Sequence, residues 1–400
     1  MRPAVRWRAR RDGTLCDMTG ETSDIAKGLL RLTLVPGLGP IRIKALLEKF
    51  HSPDRVFGAS QKDLTQVDGI GEKNSRAILT AAPDSEHAAQ EELDRANALA
   101  VRVLCIGEPD YPSLLARIPD PPPILYVRGT IDPDGLDAIG LAIVGSRDCS
   151  AYGVEQAERF AGTLAASGIT IVSGGARGID SAAHRSALRA KGRTIAVLGC
   201  GLSVCYPPEN DRLFAQIAEN GAVISELPIA TQPEAKNFPA RNRLISGMSL
   251  GTLVVEAGRR SGALITARLA LDDHDREVMA IPGRLDSPSA LGCLDLIKKR
   301  EAALVTEPGD VLEVLKPHAH NRSRELRANA ADTPVKTDEP ALFPTDSPAR
   351  TAILSALAEP LTLDQIVEKT RLGVPAVMAE LTMLEMQRRV KRAGPLFEAR

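Results

Sequence analysis

Four stretches of the chain combine small residues with cations in a pattern suited to gripping phosphate. They are Gly145-Ser146-Arg147, Ser173-Gly174-Gly175-Ala176-Arg177-Gly178, Phe238-Pro239-Ala240-Arg241-Asn242-Arg243, and Ser261-Gly262 with Thr266 and Arg268. Glycine and serine let backbone amides approach phosphate oxygens, and helix N-termini add partial positive charge. Arg147, Arg177, Arg241, Arg243 and Arg268 offer planar forks that hold phosphate bidentately or stack on a base. Any one of them reads equally well as half of a surface ion pair; placed together on one rim they read as a polyanion cradle. Phe238 adds the one aromatic face in these stretches.

Each stretch follows an apolar run, and those runs must position it. The runs are LAIV (141–144), TIV (170–172), TIAVLG (194–199), AVIS (222–225), TLVVEA (252–257) and EVMAI (277–281). They are nearly continuous rather than alternating, as in strands covered on both faces. Helical stretches such as 154–168 and 179–192 lie between them. The alternation predicts an α/β fold with a central doubly wound, Rossmann-like parallel sheet. Ligands of such sheets bind beyond the carboxyl ends of the strands, where these small-residue and arginine stretches fall.

Other chemistries find less support. No G-x-x-x-x-G-K-[ST] occurs, which argues against a P-loop NTPase. GCGLSV (199–204) is a poor dinucleotide fingerprint, with Val204 at the last glycine position. Asp180, Ser181 and His184 are spaced as a triad could be, yet a carboxylate at a helix start beside an ordinary histidine accounts for them. Glu226 and Glu256, at strand ends, are the more serious catalytic candidates. The six cysteines contain no C-x-x-C and the six histidines no H-x-x-x-H, so structural zinc and a disulfide framework are not expected and a reducing compartment is. No catalytic residue, metal ligand or cofactor is assigned.

Composition bounds the rest. The chain has 400 residues, enough for two or three domains, and 44% apolar content excludes wholesale disorder. Phe 7, Tyr 4 and Trp 1 make any base-stacking surface sparse. A net charge of −1 gives no bulk attraction to nucleic acid, so the local arginines must supply it. No apolar run approaches a membrane span.

Texture divides the chain. Residues 1–22 form a basic tail, expected to be disordered, with Met18 as the preferred start. Residues 23–96 form a small helical, SAM-like domain of the helix-hairpin-helix kind. In it VPGLGPIRIKALLEKF (35–50) and VDGIGEKNSRAILTAA (67–82) repeat at an offset of 32 residues, Gly37 to Gly69 and Gly39 to Gly71. Such hairpins present amides to phosphate, with Lys44, Lys73 and Arg76 nearby, or serve close packing alone. Residues 97–316 hold the Rossmann-like domain, 317–349 read as a linker, and 350–400 resemble a winged helix. The second helix there, PAVMAELTMLEMQ, is acidic and apolar, which favours protein contact over a DNA groove.

VGSR, SGGARGIDSAAH, TIAVLGCG, Tyr206-Pro207 with Asn210, ISELP, FPARNRLISGMS, VVEAGRRSGALITAR and AIPG occur in one order. In that order the chain resembles the DprA/Smf family (DNA-processing protein A) over about 97–306. The flanking segments agree with the family's domain order. The resemblance implies a cytoplasmic, non-enzymatic single-stranded DNA binder that shields incoming strands in natural transformation and helps load RecA. Carried over by motif, Gly145, Ser146, Arg147, Ser173, Gly174, Gly175, Arg177, Gly178, Arg241, Asn242 and Arg243 would contact DNA, with Ser261, Gly262 and Thr266 in second rank. Phe238 would stack on a base, a contact of ~1–3 kcal/mol. The resemblance also implies a homodimer through this domain with RecA engaged nearby, placed here at 265–300, and a single-strand-binding protein as a further partner. The chain departs from the family in GCLDLIKKREAALV (292–305), where Leu294 and Glu301 replace the usual asparagine and glycine. The enzyme alternative is a Rossmann-fold nucleotide phosphoribohydrolase. Its GGxGT loop and following catalytic glutamate are inverted here, since Gly251-Thr252 precede a strand and Glu256 ends it.

Overall fold

The computed structural model describes residues 24–330, 348–357, 359–386, 389–393 and 396–399. The expected basic tail therefore lies outside the described residues.

Six helices form the first unit: α1 (Asp24–Thr33), α2 (Pro40–Phe50), α3 (Pro53–Phe57), α4 (Gln61–Leu64), α5 (Glu72–Ala81) and α6 (Ser85–Ala98). The repeat is real in space. Gly37 and Gly69 turn the two hairpins at φ +84° and +75°, a region L side chains avoid, and Gly39 and Gly71 cap α2 and α5. Arg42 ties the hairpins together, donating through Nη1 to the Gly37 carbonyl (2.8 Å) and through Nε to that of Gly69 (3.0 Å). α1 and α6 pack on the sheet's edge, and one apolar core runs from Leu30 and Ile78 through Tyr126 to Ala196. The texture boundary near residue 96 is thus no break in packing.

The sheet has nine strands: β1 (Arg102–Cys105), β2 (Ile124–Gly129), β3 (Gly140–Val144), β4 (Thr170–Ser173), β5 (Thr194–Val197), β6 (Gly221–Ser225), β7 (Gly251–Val254), β8 (Glu277–Ala280) and β9 (Ala303–Leu304). Their order is β1-β2-β6-β5-β4-β3-β7-β8-β9, parallel from β6 to β9, with β1 and β2 added antiparallel at one edge. The chain winds outward from β3 in both directions, so the topological switch lies between β3 and β7. Strand residues alternate between two cores: Leu141, Ile143, Leu253 and Met279 face one, Ala142, Val144, Val254 and Ala280 the other. The first is covered by α7 (Ala151–Ala166), α8 (Ile179–Arg189) and, after the intervening helices, α13 (Pro308–Ala330). The second is covered by α9 (Asp211–Asn220), α10 (Asn237–Gly247), α11 (Ala263–Arg268) and α12 (Leu291–Lys298).

One boundary is corrected. The expected linker at 317–349 begins as helix: α13 continues to Ala330 with Pro317 inside it, anchored by buried Ala319 and Arg322. Polar composition concealed that continuation. The last unit holds α14 (Pro348–Ala356), β10 (Leu361–Thr362), α15 (Leu363–Thr370), α16 (Val374–Met386), β11 (Val390–Ala393) and β12 (Leu396–Ala399). Its antiparallel sheet, ordered β10-β12-β11, and three helices make a winged helix, and α16 lies against α7.

Candidate nucleic-acid interface

The carboxyl ends of β3, β4, β5 and β7 share one edge with the first turns of α10 and α11. After β3 the chain turns through Gly145, half-buried against Ile179, leaving no room for a Cβ. The Ser146 amide donates to the Glu256 carbonyl (2.7 Å) and its hydroxyl to that of Asp148 (2.9 Å), so both serve the loop itself. Arg147 projects beyond them, exposed. Its guanidinium lies 5.2 Å from the centroid of the Phe238 ring, and it has no carboxylate partner among the described residues. Phe238 stands in the first turn of α10 over Gly199, and the Tyr206 ring sits beside it at 5.4 Å, tilted 43°. Loop, glycine and helix start thus build one rim with a free cation and two aromatic faces. In the sequence Tyr206 figures only as part of a motif; its adjacency to proline gives no hint of a ring contact 32 positions away.

The glycine loop is arranged differently from expectation. The Ser173 hydroxyl, fully buried, donates to the Ile143 carbonyl (2.6 Å). The Gly174 and Ala176 amides donate to Asp180 Oδ2 at 3.1 and 3.4 Å. Gly175 and Gly178 adopt φ +63° and +74°, Gly175 packing on Phe214 and Gly178 on the backbone of Ser146 and Arg147. Ser173, Gly174 and Gly175 are buried, and these bonds and packing contacts commit them to the loop itself. Arg177 is exposed and ion-paired with Glu209, which holds its guanidinium above the ordinary value. Such a surface pair opens at little cost.

Arg241 and Arg243, expected at the rim, point inward. Arg241 is 4% exposed; its Nη1 donates to the Val197 carbonyl, and its charge faces Asp180. Burial pulls this guanidinium down to about 10, Asp180 opposing the fall and Arg147 adding to it. Arg243, 8% exposed, pairs with Glu226 and with Asp120 (3.0 Å). Burial raises both carboxyls above their ordinary range, and Arg243 opposes the rise in each. The signal was present: Leu244, Ile245 and Met248 recur at i+3, i+4 and i+7 from Arg241, so the helical period carries Arg241 inward with them. Thr266, 1% exposed, is likewise internal. Asn242 is half-buried and donates to the Gly262 carbonyl (3.4 Å), tying α10 to the start of α11. Ser261 Oγ accepts the Ala263 amide (3.3 Å), while Gly262 is exposed with open space on its Cα. Arg260 and Arg268 are exposed and form no ion pair among the described residues.

The enzyme candidates are committed elsewhere. Glu256 Oε1 accepts the Ser150 amide (3.0 Å) and Oε2 its hydroxyl (2.5 Å), closing the N-terminus of α7. Glu226 serves Arg243. Asp180, Ser181 and His184 do not assemble: Ser181 Oγ donates to the Ala176 carbonyl (2.6 Å), and His184 Nδ1 meets Thr194 Oγ1 (2.6 Å). Burial, then Arg241 and Arg185, hold His184 down to about 3. Among the described residues no group of three or more acidic, histidine or cysteine side chains is placed to hold a metal, and no helix is long and apolar enough to cross a membrane.

A doubly wound sheet whose arginine-bearing edge is flanked by tandem hairpins and a winged helix defines a Rossmann-like protein of three units. The chain belongs to the DNA recombination-mediator protein A family, whose profile matches residues 102–316. A SAM-like helix-hairpin-helix tandem matches 29–84 and the DprA winged helix domain 336–394. The chain is 38% identical over 373 residues to Protein Smf of Synechocystis sp., covering 88% of this chain and 93% of that one. It is 44% identical over 202 residues to the DNA processing protein DprA of Streptococcus pneumoniae, covering 50% and 70%. The X-ray structure of DprA from that organism superposes with a TM-score of 0.62 at 34% identity, covering 73% of this chain and 98% of the other. The motif resemblance and the fold therefore agree.

Proposed function

We propose that this protein binds single-stranded DNA along the carboxyl edge of its sheet, without catalysing a reaction. The carrying observation is Arg147, exposed and without a carboxylate, over the Phe238 ring. A phosphate on the guanidinium and a base against Phe238 or Tyr206 suit a single strand, whose bases are free to stack. Gly178, Arg177, Asn242, Ser261 and Gly262 line the same edge, with Arg260 and Arg268 adding charge. Family membership supports the wider role: sheltering incoming strands and helping load RecA during transformation or recombination, in the cytoplasm. A homodimer, RecA and a single-strand-binding protein are the proposed partners. Exposed Ile265 and Leu285 support placing the protein contacts within 265–300.

Fluorescence anisotropy of a labelled single strand and of its duplex, with and without RecA, tests this. The single strand is expected to bind more tightly, increasingly so as salt falls. Equal or tighter binding of the duplex overturns the reading.

A further inference from the structure

Two long helices begin beside the topological switch of this sheet, α7 after β3 and α8 after β4. In a nucleotide-binding sheet of this kind the ligand's phosphates sit at such helix starts, held by loop amides. Here the chain supplies its own anion at each. At α7, Glu256 takes the Ser150 amide and hydroxyl, and a Cβ on Gly153 would collide with its carboxylate. At α8, Asp180 takes the Gly174 and Ala176 amides at 3.1 and 3.4 Å. Burial raises its carboxyl above the ordinary range, and the charge of Arg241, those two amides and Ser173 oppose the rise; Arg241 Nε, buried beside the loop, has no hydrogen-bond partner among the described residues. Gly174 lets the Arg241 guanidinium close on the loop, since a Cβ there would overlap it. Two loop amides at a helix start, in the field of a buried cation, are the donors a bound phosphate would use, and a carboxylate that is 7% exposed fills them.

We infer that Asp180 is a resident anion in the phosphate seat of the glycine loop, with Glu256 its counterpart at α7. Free phosphate and mononucleotides are thereby excluded from the crevice, and the protein takes only a polymer laid along the outer rim. Arg241 is then a positioning residue: held on the Val197 carbonyl, it places its charge where it opposes the burial cost of Asp180. The polymer half of this inference rests on the function proposed above; the occupied seat stands on its own distances.

Removing the resident anion should create a site for an external one. The melting temperature of the full chain and of Asp180→Ala is measured in sodium phosphate and in sodium chloride at equal ionic strength. The variant is expected to melt lower in chloride and to gain several degrees more than the wild type on transfer to phosphate, the wild type showing only the general stabilisation that phosphate gives any fold. An Asp180→Ala that folds in phosphate and not in chloride is the same result in stronger form. An equal response of variant and wild type overturns the inference. A second measurement needs no variant: thymidine monophosphate at millimolar concentration should leave a labelled oligothymidylate bound to the wild type. Its displacement by the monophosphate overturns the exclusion. A wild type that binds no oligonucleotide defeats the single-strand reading and leaves the melting comparison to decide the role of Asp180.

Discussion

Arg147 follows a strand on an exposed turn, whereas Arg241 stands in the second turn of α10 with its guanidinium under the glycine loop. The first has an aromatic ring and solvent around it; the second has the Val197 carbonyl and the field of Asp180. Both lie at one edge of one sheet, and both looked alike as arginines beside small residues. Their difference teaches that an arginine's place in the helical period, together with the carboxylate waiting for it, decides whether it grips a ligand or balances an internal charge. A buried cation with a buried anion holds architecture; an exposed one without a partner remains for phosphate.

The largest effect that would break this contrast is on stability. Arg241→Met removes the cation whose field opposes the burial cost of Asp180 and leaves the Val197 carbonyl without its donor, and is expected to cost about 3–5 kcal/mol in urea unfolding. Arg147→Ala should change stability by no more than about 0.5 kcal/mol. Equal costs would erase the distinction between the two sites.

Acid stability gives the next effect. His184 is held down to about 3 and His274 to about 4, both chiefly by burial, against an ordinary value of 6.5. The unfolded chain therefore binds more protons than the folded one below pH 6.5, so these groups contribute stability above that pH and lose it as pH falls toward 3. The histidine share of the unfolding free energy should decline from pH 6.5 to 4.5, against the opposite drift from the raised carboxyls of Asp120, Asp180 and Glu226, and His184→Asn should remove its part of that decline. An unchanged pH slope in the variant would show that His184 is not the buried, neutral ring described.

Smaller effects sharpen the rim. Phe238→Ala should weaken single-strand binding by about 1–3 kcal/mol while leaving its salt dependence alone, because a stacked base releases no counterions. Arg177→Ala should cost less than about 1 kcal/mol, its charge being already shared with Glu209. An Arg177 effect larger than that of Phe238 would move the centre of the rim toward the glycine loop.

The parallel sheet was legible because LAIV, AVIS and their like are too uniformly apolar for one-sided burial, and small residues fall where such strands end. The paired hairpins were legible from two glycines repeated at a fixed offset. β1 and β2 were not, since RVLC is short and ILYVRG lies amid prolines with no helix to mark a crossover. The direction of each arginine was less visible still. Arg241 and Arg243 are adjacent-but-one, and their carboxylates, Asp180, Glu226 and Asp120, come from three distant elements that only the folded sheet brings together. The same holds for the glycine loop: its composition speaks of phosphate, but Asp180, in the first turn after it, is already there.

The most direct test measures single-strand affinity against salt concentration for the wild type, Arg147→Ala and Arg241→Met, each under conditions where it is folded. Losing one phosphate contact lowers the slope of log affinity on log salt by about 0.7 for a single strand. Arg147→Ala is expected to show that loss, and Arg241→Met to keep the wild-type slope. An unchanged slope for Arg147→Ala, or a reduced one for Arg241→Met, would contradict the assignment of the exposed arginine to DNA and the buried one to Asp180.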